Sequence, residues 1–233
     1  MNKRDKGSLR CLTLSPCGKD GLEIIGLLGH QGVGKNYIAE HIIPKVLKTT
    51  KNTVVIAFAD HLKINCITKQ GADYDKVYGE KDYETRKMLQ REGTEEGRDK
   101  YGKDIWIKTM ESWIKVLSSR GVKRFIISDV RFANEVKWIH SVYGLVMKIN
   151  APTRYHKRLM DETGGDDEKI SMLKNHPSER DIDNMNIDVE YTDWSKQMLY
   201  EKDVMINNEP GNDPSEDVAS AYNKWVWDED DCD

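Results

Sequence analysis

A glycine-rich loop carries the residues whose types and spacing best suit chemistry. It reads Gly-His-Gln-Gly-Val-Gly-Lys-Asn over residues 29–36, between an apolar run and a helical pattern. Glycines at positions 29, 32 and 34 let backbone N–H groups converge on an anion near a helix N-terminus, and Lys35 stands where a lysine reaches the β and γ phosphates. The predicted triphosphate-binding residues are Gly29, Gln31, Gly32, Val33, Gly34, Lys35, Asn36 and Tyr37. The alternative, a plain glycine-rich turn, would need neither Lys35 nor the flanking strand.

Asn36 differs from the residue usually found at this point of such a loop. Ser or Thr normally places a hydroxyl on Mg²⁺ there, whereas the amide oxygen of Asn36 could bind the ion directly or through water. Asp129 ends another apolar run and would face the same place. We therefore expect Asn36 and Asp129 to hold Mg²⁺. Asp129 could instead cap the helix that begins near Phe132.

Short apolar runs indicate buried parallel strands that position this chemistry. The candidate strands are residues 22–28, 53–58, 124–130, 145–149 and 203–207. Helical patterns follow the first four of them. This alternation predicts an α/β fold of three layers, α/β/α, around a central parallel sheet of about five strands. Ligands of such sheets bind beyond the carboxyl ends of the strands, which is where the loop and Asp129 fall.

The chain divides into one main domain, residues 21–208, and two ends. Residues 73–119 are helical in pattern and rich in charge, and we expect them to form an insert over the ligand edge of the sheet. Residues 1–20 are expected to be flexible, and residues 209–233 to form an acidic tail. A short helix could dock within this tail, because apolar residues recur at helical spacing. These residues are Val218, Tyr222, Trp225 and Val226.

The composition excludes several classes of protein. The 233 residues carry 36 Lys and Arg against 40 Asp and Glu, a net charge of −4, which gives no overall attraction to nucleic acid. No apolar run approaches the roughly 18 residues of a membrane span, and no secretory signal follows the basic start. The four cysteines are scattered, which indicates free thiols in a reducing compartment. We expect a cytoplasmic protein that binds neither nucleic acid nor membrane.

Further blocks accompany the loop in a recognisable order. They are Phe-Ala-Asp-His-Leu-Lys at 58–63, Leu-Gln-Arg-Glu-Gly-Thr at 89–94, Arg98, Asp-Val-Arg-Phe-Ala-Asn-Glu at 129–135 and His-Pro-Ser-Glu at 176–179. From about residue 22 to 208 the chain resembles the viral and bacteriophage deoxynucleoside monophosphate kinases. The resemblance implies an adenylate-kinase-like P-loop fold, ATP with Mg²⁺ as the phosphoryl donor, a deoxynucleoside monophosphate as the acceptor and, for a viral protein, the host cytoplasm. In that family the residue after the loop lysine is often Asp, and Asn36 lacks its negative charge.

Phosphoryl transfer between two anions requires alignment and the stabilisation of negative charge, for which arginines are suited. By resemblance Arg131 would hold the phosphate of the acceptor. Asp60 and Lys63 would engage the acceptor nucleotide, although a surface ion pair at a helix start explains them almost as well.

The helical insert supplies the remaining candidates for acceptor binding. We expect Arg86, Gln90 and Arg98 to bind the acceptor, because a glutamine amide can read a base edge while arginine binds phosphate. A solvated charged face would explain Arg86 equally well. Trp106 either packs beside the sugar and excludes a 2′-hydroxyl, or simply belongs to the core.

Arg154 and Arg158 lie four residues apart and look like the lid arginines of nucleotide kinases, in a lid of about residues 154–180. A solvated basic helix is the alternative. The block at residues 176–179 is expected to anchor the lid or to contact the acceptor. The expected catalytic residues are Lys35, Arg131, Arg154 and Arg158.

Two other functions stay open at this point. One is a small-molecule kinase of the phosphomevalonate kinase type, which shares the loop and the Asp-Val-Arg block. The other is a P-loop ATPase or switch without a small acceptor, which would leave Arg86, Gln90, Arg98 and Arg131 without a role. The expected partner is the monophosphate substrate, and the sequence leaves a homodimer open.

Overall fold

A computed structural model describes residues 21–48, 50–79, 81–180, 182, 185 and 204–227. Its centre is a five-stranded sheet in which every paired neighbour is parallel, in the order β2-β3-β1-β4-β5. The strands are β1 Glu23–Leu28, β2 Thr53–Ile56, β3 Arg124–Val130, β4 Leu145–Asn150 and β5 Val204–Asn207. The predicted parallel sheet of about five strands is confirmed. Asp203, expected to open β5, lies outside the described residues.

The second strand is shorter than its apolar run. The run continues to Phe58, but the N–H groups of Phe58 and Ala59 donate to the two carboxylate oxygens of Asp129, at 2.7 and 2.9 Å. These bonds turn the backbone out of the ladder, so β2 ends at Ile56. The chain after β2 is thereby tied to the end of β3.

Helices follow the strands, as the alternation predicts. They are α1 Lys35–Tyr37, which continues through a π-helical turn at Ile38–Ile42 into α2 Ile43–Leu47, then α3 Asp60–Gln70, α4 Tyr74–Tyr78, α5 Tyr83–Gly93, a second π-helical turn Thr94–Asp99, α6 Ile105–Ser118, α7 Ala133–Ser141, α8 Pro152–Thr163, α9 Asp167–Asn175, α10 Pro177–Arg180 and α11 Ser215–Trp227. Asp73, Asp82 and Asp166 accept backbone N–H groups at the starts of α4, α5 and α9, which fixes where these helices begin.

The sheet is covered on both faces, which gives the three layers. Alternate residues of β1 point to opposite sides: Ile24 and Leu28 pack with α3, α6 and α7, while Ile25 and Leu27 pack with the π-helical turn after α1, with α2 and with α11. Gly26 lies under α7, where a Cβ atom would stand 2.5 Å from the Ile139 side chain. The continuous apolar character of the strands therefore reflects burial on two faces.

The last helix belongs to the domain and does not form part of a tail. Val218, Ala221 and Trp225 are buried in the core on the α1 and α2 face of the sheet, and the Tyr222 hydroxyl donates to Glu23 at 3.0 Å. The helix that the sequence allowed within residues 209–233 thus docks. Residues 1–20 and 228–233 lie outside the described part of the chain. Within the described ranges, no helix is both long enough and apolar enough to cross a membrane.

Candidate active site

A cavity of ≈ 380 Å³ lies beyond the carboxyl ends of β1, β2 and β3. Parallel sheets of this kind bind ligands at this edge, and the volume of the cavity falls within the range of small-molecule sites. Most of the residues singled out from the sequence line it: Gln31, Gly32, Gly34, Lys35, Asn36, Lys63, Arg86, Gln90, Arg98, Trp106, Asp129, Arg131 and Arg158. Segments distant in sequence therefore converge on one site.

The loop after β1 takes the shape of an anion cradle. Gly32 and Gly34 adopt φ angles of +75° and +90°, which favour glycine. A Cβ atom at Gly32 would stand 2.8 Å from the side chain of Arg158, and one at Gly34 would stand 2.3 Å from Asn208 Nδ2. Both glycines are therefore required by conformation and by close approach.

Lys35 is held inside the loop. Its Nζ donates to the carbonyl oxygens of Gly29 at 2.7 Å and His30 at 2.5 Å. Burial, together with the nearby charge of Arg131, holds the pKa of Lys35 well below its usual range. An anion bound in the cradle would counter both effects and favour the charged ammonium.

Both predicted magnesium ligands line the cavity, but their side chains differ in exposure and in hydrogen bonding. Asn36 is exposed, whereas both carboxylate oxygens of Asp129 accept N–H groups from the chain after β2. Asp129 does not cap α7, so that alternative is wrong; Glu135 reaches back to the N–H groups of Arg131 and Phe132 at 2.8 and 3.1 Å.

These two side chains fit a magnesium ion that arrives with a triphosphate. No cluster of three or more His, Cys, Asp or Glu side chains able to hold a metal occurs among the described residues. Mg²⁺ commonly binds through one or two protein oxygens and otherwise through phosphate and water. The amide oxygen of Asn36 and the carboxylate of Asp129 match that donor set.

Three buried glutamates hold the arginines of the cavity. The sequence singled out neither Glu135 nor Glu162 as a site residue, and Glu179 only as part of the block at residues 176–179. Glu135 pairs with Arg98 and Glu179 pairs with Arg131. Glu162 accepts from Arg86 and from Arg158. A carboxylate that binds the guanidinium group of an arginine restricts the rotamers of that side chain. Each pair therefore fixes the position of one guanidinium group.

Glu179 also ties Arg131 to the phosphate loop. Its Oε2 accepts the Gln31 N–H at 3.2 Å and lies 3.1 Å from His30 Nδ1. The block at 176–179 therefore anchors the segment after α9 to the loop, one of the two roles expected for it. The only signal in the sequence was membership of that block.

Arg98 and Glu135 form a second buried pair. Burial raises the pKa of Glu135 to about 7, against the opposing charge of Arg98. The Arg98 guanidinium also lies 3.7 Å from the centre of the Phe132 ring and donates to Lys103 O at 2.9 Å. With these contacts made, Arg98 is placed chiefly to support the wall between α6 and α7.

Lys81 is a cavity residue that the sequence did not reveal. It precedes α5 and stands near Lys63, Arg86 and Arg158. Burial and these like charges lower the pKa of Lys81 to about 8. A lysine within a charged stretch carries no distinguishing pattern, so only its placement identifies it.

The cavity lining also includes apolar and aromatic side chains. Phe58, Leu62, Leu89, Trp106 and Phe132 contribute to it, together with the amide of Gln90. Trp106 is 9% exposed, and its Nε1 donates to Gly93 O at 2.8 Å. Trp106 therefore belongs both to the core and to the cavity wall.

Five predicted site residues do not line the cavity. Gly29, Val33 and Tyr37 belong to the loop and its helix, but Val33 is buried in the core and the Tyr37 ring is exposed beside His41. Asp60 accepts from Ala57 N at 2.7 Å and pairs with Lys63, as in the helix-start alternative. Arg154 donates to Asn208 O at 2.6 Å, which leaves Arg158 as the cavity arginine of α8.

A parallel sheet in this order, a glycine-rich loop that encloses a lysine, and a cavity lined with arginines define a P-loop kinase fold. A family model described as phosphomevalonate kinase matches residues 27–145, just over half of the chain. The chain belongs to this family, and it is a kinase. This assignment favours a phosphotransferase over the ATPase or switch that the sequence left open, and it implies ATP as the phosphoryl donor.

Two individual proteins illustrate the similarity. A protein of Acanthamoeba polyphaga mimivirus described as "Putative deoxynucleotide monophosphate kinase" is 30% identical over 148 residues, which cover 55% of this chain and 74% of that protein. The crystal structure of TT1252 from Thermus thermophilus is 16% identical, with a TM-score of 0.46, and the match covers 90% of this chain and 98% of that one.

Proposed function

We propose that the protein transfers the γ-phosphoryl group of ATP to a deoxynucleoside monophosphate. The observation that carries this proposal is that one cavity combines cationic and aromatic lining residues. Lysines and arginines line it together with Phe58, Trp106 and Phe132 and the amide of Gln90. A nucleoside monophosphate combines the matching groups, an anionic phosphate and a flat base. The similarity to the mimivirus protein supports the same substrate class.

The chain's own residues account for the transfer by alignment and charge. The loop amides and Lys35 would hold the β and γ phosphates of ATP. Arg131 and Arg86 would hold the phosphate of the acceptor, with Lys81 beside them, and Arg158 would face the transferring group. Mg²⁺ held with the triphosphate near Asn36 and Asp129 supplies neutralisation of phosphate charge.

The bond changes require little proton transfer by the protein. An oxygen of the acceptor phosphate attacks the γ phosphorus, the bond from that phosphorus to the β-phosphate oxygen breaks, and ADP leaves. A phosphate monoester has a second pKa of about 6, so the attacking oxygen is already deprotonated near neutral pH. This agrees with a site rich in cations rather than in candidate general bases.

A preference for the deoxy sugar is part of the proposal. The Trp106 indole N–H is already donated to Gly93 O, so it has no donor left for a 2′-hydroxyl on a sugar beside it. Replacement of Trp106 by alanine should reduce the preference for deoxy over ribo acceptors. An unchanged preference would remove this role.

A panel of acceptors tests the function. ADP release should be measured with ATP, Mg²⁺ and each of the deoxy and ribo monophosphates in turn, and with 5-phosphomevalonate, the acceptor of the second candidate function that the family match favours. We expect turnover with at least one deoxynucleoside monophosphate, and its loss in the Lys35→Ala variant. Turnover with 5-phosphomevalonate alone would replace the proposal with the second candidate.

A further inference from the structure

Glu162 joins two elements whose arginines both line the cavity. It lies on α8, and its side chain is 3% exposed. Its Oε1 accepts from Arg86 Nη2 and from Arg158 Nε, both at 2.6 Å, and its Oε2 accepts from Arg86 Nε at 2.8 Å. Arg86 belongs to the helical insert, on α5, whereas Arg158 lies on α8. One carboxylate therefore holds an arginine from each element.

The pairing leaves donors available for a ligand. A guanidinium carries five N–H donors. The bonds to Glu162 use two of them in Arg86 and one in Arg158. Both side chains line the cavity, so the remaining donors can bind phosphate oxygens while Glu162 stays in place.

The local charge shows why a carboxylate is needed at this point. Arg86 and Arg158 lie close enough to Lys81 for their charges to act on it, and both donate to the same oxygen of Glu162. Without a counter-charge, two neighbouring guanidinium groups repel each other, and no contact fixes their relative orientation. The carboxylate of Glu162 removes the repulsion and, through the bidentate bond to Arg86, sets the plane of that fork.

We propose that Glu162 is a positioning residue that holds Arg158 in register with Arg86, so that the transferring phosphoryl group and the accepting phosphate are brought into line. This inference rests on phosphoryl transfer as the proposed function, but not on the identity of the acceptor. Glu162 does not touch substrate. It acts through the two arginines, and its removal should affect the rate of transfer more than the binding of ATP.

The first test is Glu162→Gln, with Glu168→Gln as its matched control. Glu168 undergoes the same chemical change on α9, where it is exposed. We expect kcat to fall on the order of 10- to 100-fold in Glu162→Gln, as for misaligned reacting groups, while the Kd of ATP measured by fluorescence titration stays within about twofold. Glu168→Gln should keep both values. An unchanged kcat in folded Glu162→Gln protein would overturn the proposal.

A double-mutant cycle separates positioning from general support of the fold. If Glu162 acts through Arg158, then Glu162→Gln should cost much less in an Arg158→Ala background than in the wild type. Equal costs in both backgrounds would refute the proposal. If the melting temperature of the Glu162→Gln variant is far below that of the wild type, Glu162→Asp replaces it in the cycle. Glu162→Asp keeps the charge but shortens the side chain.

The measurements keep this inference apart from the proposed function. The cycle is run with whichever acceptor the wild-type protein phosphorylates. Turnover of 5-phosphomevalonate instead of a deoxynucleoside monophosphate would overturn the proposed function and leave the test of Glu162 intact. Additive effects of the substitutions at Glu162 and Arg158, measured with a deoxynucleoside monophosphate as the acceptor, would overturn the role of Glu162 and leave the proposed function intact.

Discussion

Lys81 should make the reaction sensitive to mildly alkaline pH. Its pKa is lowered to about 8 by burial first and then by Lys63, Arg86 and Arg158. Arginines stay charged throughout the working range. A rise in pH past about 8 therefore removes the charge of Lys81 while the guanidinium groups of the cavity keep theirs.

The size of the effect follows from that pKa. With a pKa of about 8, roughly 90% of Lys81 is charged at about pH 7 and roughly 10% at about pH 9. If the charged form is needed to capture the acceptor phosphate, kcat/KM for the acceptor should fall about tenfold over this interval, because kcat/KM for the acceptor reports the enzyme before the acceptor binds. The decrease in kcat should be smaller, since a bound phosphate raises the pKa of Lys81 again.

The assay compares pH profiles of the wild type, Lys81→Arg and Lys81→Met by ADP release at saturating ATP. Lys81→Arg stays charged and should lose the decline between about pH 7 and 9. Lys81→Met should already be low near neutral pH and should not decline further through this group. Superimposable profiles for the wild type and Lys81→Arg would refute the assignment, whatever other groups titrate in this range.

Three further perturbations test other parts of the site. Arg131→Ala should cost about 2–4 kcal/mol of transition-state stabilisation, measured from kcat/KM. It should also lower the free energy of unfolding by about 3 kcal/mol, since Glu179 would be left buried without its cation. A wild-type kcat/KM in this variant would contradict the role of Arg131. Gly97→Ala places a Cβ atom 2.4 Å from the Trp106 ring and should destabilise by about 1–3 kcal/mol in urea denaturation. Gly93→Ala, whose Cβ would meet only the Leu62 side chain at 3.5 Å, is its control, and equal costs would be inconsistent with the packing described. Asn36→Leu should strongly lower Mg²⁺-dependent turnover while Asn36→Asp retains it, and full turnover in the leucine variant would show that Asn36 is not needed at the ion.

The fold was predictable because its signals are local. The central strands β1, β3 and β4 contain nearly continuous apolar runs, which indicate burial on both faces. The glycine-rich loop was equally clear, because Gly32, Gly34 and Lys35 follow one another at fixed spacing. The end of β2 was not predictable in this way, since it depends on Asp129, which is 71 positions from Phe58.

Most partners of the arginines could not be predicted from spacing. Arg154 and Arg158 share one helix face, but one bonds to Asn208 and the other to Glu162. Helical periodicity tells which side chains emerge together, and long flexible side chains then reach whatever the tertiary structure offers. Arg158 and Glu162 lie four residues apart on α8, but the other pairs of the cavity join residues far apart in the chain, 76 positions in the case of Arg86 and Glu162, so only the folded arrangement reveals those.

The parts of the phosphate loop's environment are synthesised at different times. The loop is made before Asn208, which donates to Val33 O at 2.8 Å, and before α11, which packs against the helices that follow the loop. A nascent chain from which α11 has not yet emerged lacks both the hydrogen bond from Asn208 to Val33 and the apolar cover for this face of β1. The loop should therefore acquire its final shape only after α11 has been synthesised, and chains truncated before residue 208 should fail to capture ATP although every loop residue is present.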